Sequence, residues 1–166
     1  MFQGCTNLTR APELPATKLT EYCYAAMFMG CTGLTTAPKL PATELAGGCY
    51  SQMFQNCGYL TAAPLLPATT LAGNCYHRMF SGWTRLRSII LPATTLEPGC
   101  YQGMLGSCQS LTWVKCLATD ISASYCTENW LSGVAASGTF IKAEAMNGWT
   151  TGTSGIPSGW TVENAQ

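Results

Sequence analysis

Charge is scarce in this chain. Of 166 residues only 10% are Asp, Glu, Lys or Arg, against about 25% in an ordinary soluble domain. The eight basic and eight acidic side chains cancel. There is no positive excess to grip a nucleic-acid backbone, no acidic tail and no polybasic membrane anchor. Histidine occurs once. No apolar run approaches the ~18 residues of a membrane-spanning helix. Residues 1–10 lack the basic-then-apolar order of a secretory leader. What the chain does have is a hydrophobic fraction of 47%, enough to bury a core, in a length suited to one domain.

That hydrophobic content is periodic. Met1-Phe2, Met27-Phe28, Met53-Phe54 and Met79-Phe80 recur every 26 residues, and Met104-Leu105 and Trp130-Leu131 continue the series. Leu14-Pro15-Ala16-Thr17 returns as Leu40-Pro41-Ala42-Thr43, Leu66-Pro67-Ala68-Thr69 and Leu91-Pro92-Ala93-Thr94. Cys23-Tyr24 returns at Cys49, Cys75 and Cys100. A period of this size implies a solenoid, because one unit cannot close a core alone. Stacked at about 4.8 Å, equivalent side chains form inward columns. Leu8, Leu34, Leu60, Leu86 and Leu111 make one; Leu19, Leu45, Leu71, Leu96 and Ile121 make another.

Within a unit, Leu34-Thr35-Thr36-Ala37 suits a short parallel strand that Pro38 stops. Leu40 to Leu45 is a second extended piece, and Gly47-Gly48 a turn. Cys49 and Met53, like Tyr50 and Phe54, stand at i and i+4, which predicts one or two helical turns on the outer side. The expected fold class is an α/β repeat solenoid, a right-handed coil of about five units.

Ten cysteines invite a disulfide or zinc framework. Their registers favour free thiols as core filler. Cys5, Cys31, Cys57 and Cys108 share one column, in which Trp83 replaces the missing member; Cys23, Cys49, Cys75, Cys100 and Cys126 share another. Cys116 is off-pattern. Cys is a small, readily buried hydrophobe. Stacked Cβ vectors point the same way and suit a disulfide poorly. Zinc needs four convergent ligands at short spacings. Free thiols fit a reducing compartment or an anaerobic habitat.

The element M-F-x-G-C-T-x-L-T, seen in Met1-Phe2-Gln3-Gly4-Cys5-Thr6-Asn7-Leu8-Thr9 and again from Met27 to Thr35, resembles the bacterial BspA-type leucine-rich repeats. The similarity covers residues 1–131. Residues 132–166, through Gly138-Thr139-Phe140 and Gly155-Ile156-Pro157-Ser158-Gly159-Trp160-Thr161, resemble that family's C-terminal end and are expected to cap the array. The resemblance implies a leucine-rich-repeat solenoid, a bacterial surface or secreted location, and adhesin-like binding of macromolecules. The unit departs from the commoner form in its A-P-x-L-P-A-T insert. Met1 occupies a mid-unit position without an N-terminal cap, as a fragment would.

Candidate catalytic groups are few. His77 has no nucleophile and acid placed to form a triad with it, and the acidic residues fall at variable registers, as solvated positions do. The chain is therefore expected not to be an enzyme and to need no cofactor or metal. Leu-Pro-Ala-Thr is the start of a sortase signal but is never followed by Gly, so it is expected to be structural. Thr9, Thr35, Thr61 and Thr112 align, but Arg87 interrupts the file, which argues against a flat ice-binding array. Trp130, Trp149 and Trp160 are expected to plug the end of the coil. Trp113 falls in the register of Arg10, Thr36 and Ala62; Tyr59 and Arg85 fall in that of Asn7, Gly33 and Ser110. Such tolerant registers face solvent, and Tyr, Trp and Arg anchor interfaces. Tyr59, Arg85 and Trp113 are the candidate binding residues of a non-catalytic recognition module for a protein or glycan. The rivals are a structural spacer of a surface or phage-like fibre, and a docking array attached to a separate catalytic region.

Overall fold

Residues one period apart lie above one another throughout the computed structural model, which describes residues 1–166. Four strands, β1 (Ser88–Leu91), β2 (Trp113–Cys116), β3 (Gly138–Lys142) and β4 (Trp160–Asn164), form one sheet in sequence order. All its pairings are parallel: Ser88 faces Trp113, Trp113 faces Thr139, and Thr139 faces Thr161. Isolated bridges continue the stacking toward the N-terminus, as between Arg10 and Thr36, Lys18 and Glu44, and Thr70 and Thr95. The molecule is a parallel β-solenoid.

The strand expected at Leu34–Ala37 does not form; Thr36 makes only a bridge. Proline is the reason. In the first three units Ala-Pro and Leu-Pro stand where the ladder would run, and a proline has no N–H to give it. The peptide groups of residues 11–16, 37–42 and 63–68 make no backbone–backbone hydrogen bond. In the fourth unit Ser88-Ile89-Ile90-Leu91 replaces the Ala-Pro element, side chains alternate out and in, and β1 appears. Trp113-Val114-Lys115-Cys116 alternates likewise as β2. Off-pattern Cys116 pairs in register with Leu91, so it fills the column of the Leu-Pro leucines.

The helical turns expected on the outer side are also absent: the structure contains no helix. Residues 21–30, 47–56, 73–82 and 98–107 are instead runs of consecutive turns. In the first of these runs, every other N–H bonds locally, as Cys23 to Thr20, Ala25 to Tyr22 and Met27 to Tyr24. The N–H groups between them donate to the next coil: Tyr22 to Gly47, Tyr24 to Cys49, Ala26 to Ser51, Phe28 to Met53. Each turn reverses in the left-handed region every fourth residue, at Tyr22 (φ 52°), Ala26 (φ 51°) and Gly30 (φ 71°), then at Gly48, Gln52 and Asn56. That repeat of four produces the i, i+4 spacing that also suits a helix. Left-handed backbone costs a residue with a Cβ about 1–2 kcal/mol. It persists here because the inter-coil bonds hold both sides of each turn.

The core lies between this turn wall and the strand wall. Leu34, Leu60, Leu86 and Leu111 are fully buried in one column. Phe2, Phe28, Phe54 and Phe80 stack with centroids 5.5–6.3 Å apart. Tyr24, Tyr50, Tyr76 and Tyr101 stack at 5.9–6.2 Å. Thr127 leaves room above Tyr101, and Trp130 takes it, stacking on Tyr101 at 6.1 Å and on Trp149 at 5.3 Å. Phe140 meets both indoles edge-on. Trp160 lies buried in β4, its Nε1 donating to the Ala135 carbonyl at 2.8 Å. The three tryptophans therefore occupy the C-terminal end of the coil. Each stacked ring pair contributes about 0.5–1.5 kcal/mol beyond its buried area.

Candidate functional site

Tyr59 and Arg85 follow the buried Cys57 and Trp83 on the short turn that leads into the strand wall. Leu60 and Leu86 turn inward beside them, so the residue just before each leucine must point out. One coil separates the two, and the Arg85 guanidinium lies over the Tyr59 ring, 4.6 Å from its centroid. Tyr59 stays 53% exposed. On its other side the register neighbour is Gly33, where a Cβ would collide with the Thr6 carbonyl oxygen. Glycine there lets two coils approach and leaves the tyrosine without a large neighbour. Thr32, Asn56 and Thr84 complete a shallow cleft of about 220 Å³ around the pair. One coil further on, the Ser110 hydroxyl donates to the Thr84 carbonyl at 2.6 Å. The surface offers an aromatic face, a guanidinium and several hydroxyl and amide groups, which is a hydrogen-bonding and stacking repertoire.

Trp113 is placed differently. It is half-buried on the outward face of β2, with Ser88 and Thr139 as register partners, and it belongs to none of the aromatic or cation–π pairs of the molecule. Of the three candidate binding residues, the structure joins Tyr59 to Arg85 and sets Trp113 apart on the strand wall.

His77 sits on the turn wall in a row of side chains one coil apart. Its Nδ1 is 3.2 Å from Gln102 Oε1, and Gln102 Nε2 donates to a Glu128 carboxylate oxygen. Partial burial, helped by the Arg78 charge, pulls the His77 pKa below its usual value. No nucleophile is hydrogen-bonded to its ring. No three of the His, Cys, Asp and Glu side chains are grouped as metal ligands, and all ten cysteines are free.

The thiol columns are more than filler. Cys31 donates to the Phe2 carbonyl at 2.9 Å, Cys57 to Phe28 at 3.0 Å and Cys108 to Phe80 at 3.3 Å. Trp83, in the same column, donates its indole N–H to Phe54 at 2.7 Å. What the position requires is an apolar body with a donor, and both residue types supply it. Desolvation pushes the Cys57, Cys108 and Cys116 thiols up to about 12 and Cys49 up to about 11, so they are inert as nucleophiles at neutral pH. Cys5 and Cys23 are exposed instead.

Two surfaces stand outside the sequence-predicted residues. Near the C-terminal end, a cleft of about 250 Å³ is lined by Met146, Trp149, Ile156 and Trp160 among others, and the buried Trp149 Nε1 has no hydrogen-bond partner. On the proline segments, two clefts of about 650 and 400 Å³ share Ala37, Pro38, Lys39 and Pro41. The sequence signal for the second is P-x-x-P, present at Pro12/Pro15, Pro38/Pro41 and Pro64/Pro67. No family model, curated protein or solved structure matches this chain.

Proposed function

We propose that the chain is a non-catalytic recognition module that binds a protein or glycan from a bacterial cell surface or as a secreted protein. In this reading the coil is a leucine-rich-repeat array of the BspA type, with about five units of 26 residues. The supporting observation is the division of labour between registers. Inward columns repeat Leu, Phe, Tyr and Cys, whereas the register of Tyr59 varies from coil to coil and there carries a guanidinium stacked on a half-exposed ring. A rigid scaffold with variable outward positions is how repeat proteins present a binding face. With so few charges, stacking and hydrogen bonding outweigh electrostatic steering. A protein that served only as a spacer would have no need of a preorganised Tyr–Arg pair.

The test is an array of glycans and extracellular-matrix proteins probed with the purified chain and with a Tyr59→Ala/Arg85→Ala variant. A saturable signal that falls at least tenfold in the variant is expected, since hot-spot Tyr and Arg residues contribute about 2 kcal/mol or more. Equal signals from both proteins would remove the pair from the binding face. Trp113→Ala, tested alongside, reports whether the strand wall contributes.

A further inference from the structure

We propose that the stacked P-x-x-P segments of the first three units form a second docking surface, for a partner protein that presents aromatic side chains flanked by carboxylates. Local sterics set the backbone of each segment. In Ala11-Pro12-Glu13-Leu14-Pro15, each proline fixes its own φ and forces the residue before it into extended backbone. Only Glu13 escapes both constraints. The segment is thereby held extended, with Pro12 and Pro15 exposed. The leucine before the second proline is held in the core: Leu14, Leu40 and Leu66 are all buried. Each proline pair is thereby anchored from behind and presented outward, with its free backbone carbonyls beside it.

Stacking repeats this ridge. The proline segments of successive coils lie side by side without backbone bonds between them, and the two clefts already described, which share Pro38 and Pro41, open along them. Leu65 lines the second cleft and is 85% exposed, more than any other large hydrophobic residue except Met1. The surface ends where the fourth unit exchanges Ala-Pro for Ile89-Ile90 and closes into β1.

The chemistry of the ridge selects its partner. Proline rings are apolar and lie well against the electron-rich faces of aromatic rings, the contact used wherever polyproline segments dock in aromatic grooves. The free carbonyls accept hydrogen bonds from an indole N–H or a phenol. Arg10 and Lys39 line the larger cleft against a single carboxylate, Glu13, so the cleft carries one excess positive charge and complements an acidic partner. This surface does not depend on the Tyr59–Arg85 reading.

The experiment titrates the full chain into a fluorescein-labelled dodecapeptide of three Asp-Trp-Asp-Tyr repeats and follows anisotropy. Two comparison peptides replace the aromatics with Leu or the Asp residues with Lys. Saturable binding is expected for the first peptide, at least tenfold weaker binding for the Leu peptide, and at least threefold weaker for the Lys peptide. Pro38→Ala/Pro41→Ala should weaken binding of the first peptide tenfold, and Leu65→Ser, a surface change that the fold tolerates, at least threefold. Tyr59→Ala/Arg85→Ala should leave it unchanged, which separates this surface from the other. No binding, equal binding of the aromatic and Leu peptides, or unaltered binding by Leu65→Ser would overturn the proposal. If the double proline variant does not fold, Leu65→Ser and Lys39→Glu decide it.

Discussion

The side chain at a given register is chosen by what its neighbours one coil away leave unpaired. The Phe2, Phe28, Phe54 and Phe80 carbonyls already accept one turn hydrogen bond each, and the following coil supplies a second donor from Cys31, Cys57, Trp83 or Cys108. The alignment of cysteines with Trp83 was legible in the sequence as a buried column. The hydrogen bond was not, because a spacing of 26 shows that two positions stack but not which atoms meet. The same holds for Tyr59 and Arg85: shared register made them neighbours, and only geometry shows the stacking. Trp113 looked equivalent by composition, yet three positions along the chain moved it to another wall. Thiol chemistry gives a direct check. With a chromogenic disulfide reagent at pH 8, Cys5 and Cys23 should react at once and the other eight only after unfolding; rapid reaction of more than two would contradict the burial seen here. The buried thiols also set an alkaline limit. Their folded-state pKa is raised from an ordinary value near 9 toward 12, so the unfolded chain loses these protons first. The stability they contribute is complete below pH 9 and is lost as pH rises toward 12. Urea midpoints at pH 8 and pH 10.5 should differ accordingly, with the higher pH less stable.

Proline decides which segments become elements. Units with Ala-Pro-x-Leu-Pro give bridges and open clefts, whereas Ser88–Leu91 and Trp113–Cys116, without that insert, give strands. The sequence made the proline stop legible but placed the strand before it, at Leu34–Ala37, where too few residues remain to build a ladder. The outer wall has helical spacing without a helix for a physical reason: a left-handed residue every fourth position gives the same i, i+4 pattern, and Tyr22, Ala26 and Gln52 do not advertise φ above zero as glycine does. Lys115 is half-buried in β2 and flanked by β1 and β3, so it reports on the ladder directly. Lys115→Pro should cost about 2–3 kcal/mol by removing a ladder donor and orphaning its acceptor, while Lys115→Ala should stay within about 0.5 kcal/mol. Chemical denaturation measures both. Equal effects would mean that β2 owes little to its hydrogen bonds.

At the scale of the molecule, each coil buries its neighbours, so position along the stack governs how much a side chain matters. The tyrosine column makes this measurable. Tyr101 is buried between Tyr76 and Trp130, whereas Tyr24 is half-buried with Tyr50 as its one stacking partner. Tyr101→Ala should cost about 3–5 kcal/mol, as a large truncation in a closed core does, and Tyr24→Ala markedly less. Similar losses would show that the stack does not unfold from its ends, as a one-dimensional array should.

The turn wall has one more property. Its inter-coil bonds all run the same way, from an N–H in one coil to a carbonyl in the next, from Tyr22 through Gly48 and Asn74 to Gly99 and Leu131. Peptide moments that alternate in a strand wall here add up, as they do along an α-helix. The solenoid is accordingly an electric dipole, negative toward the Tyr22 end and positive toward the Trp130 end. A cation approaching a protein of zero net charge still meets two unlike poles.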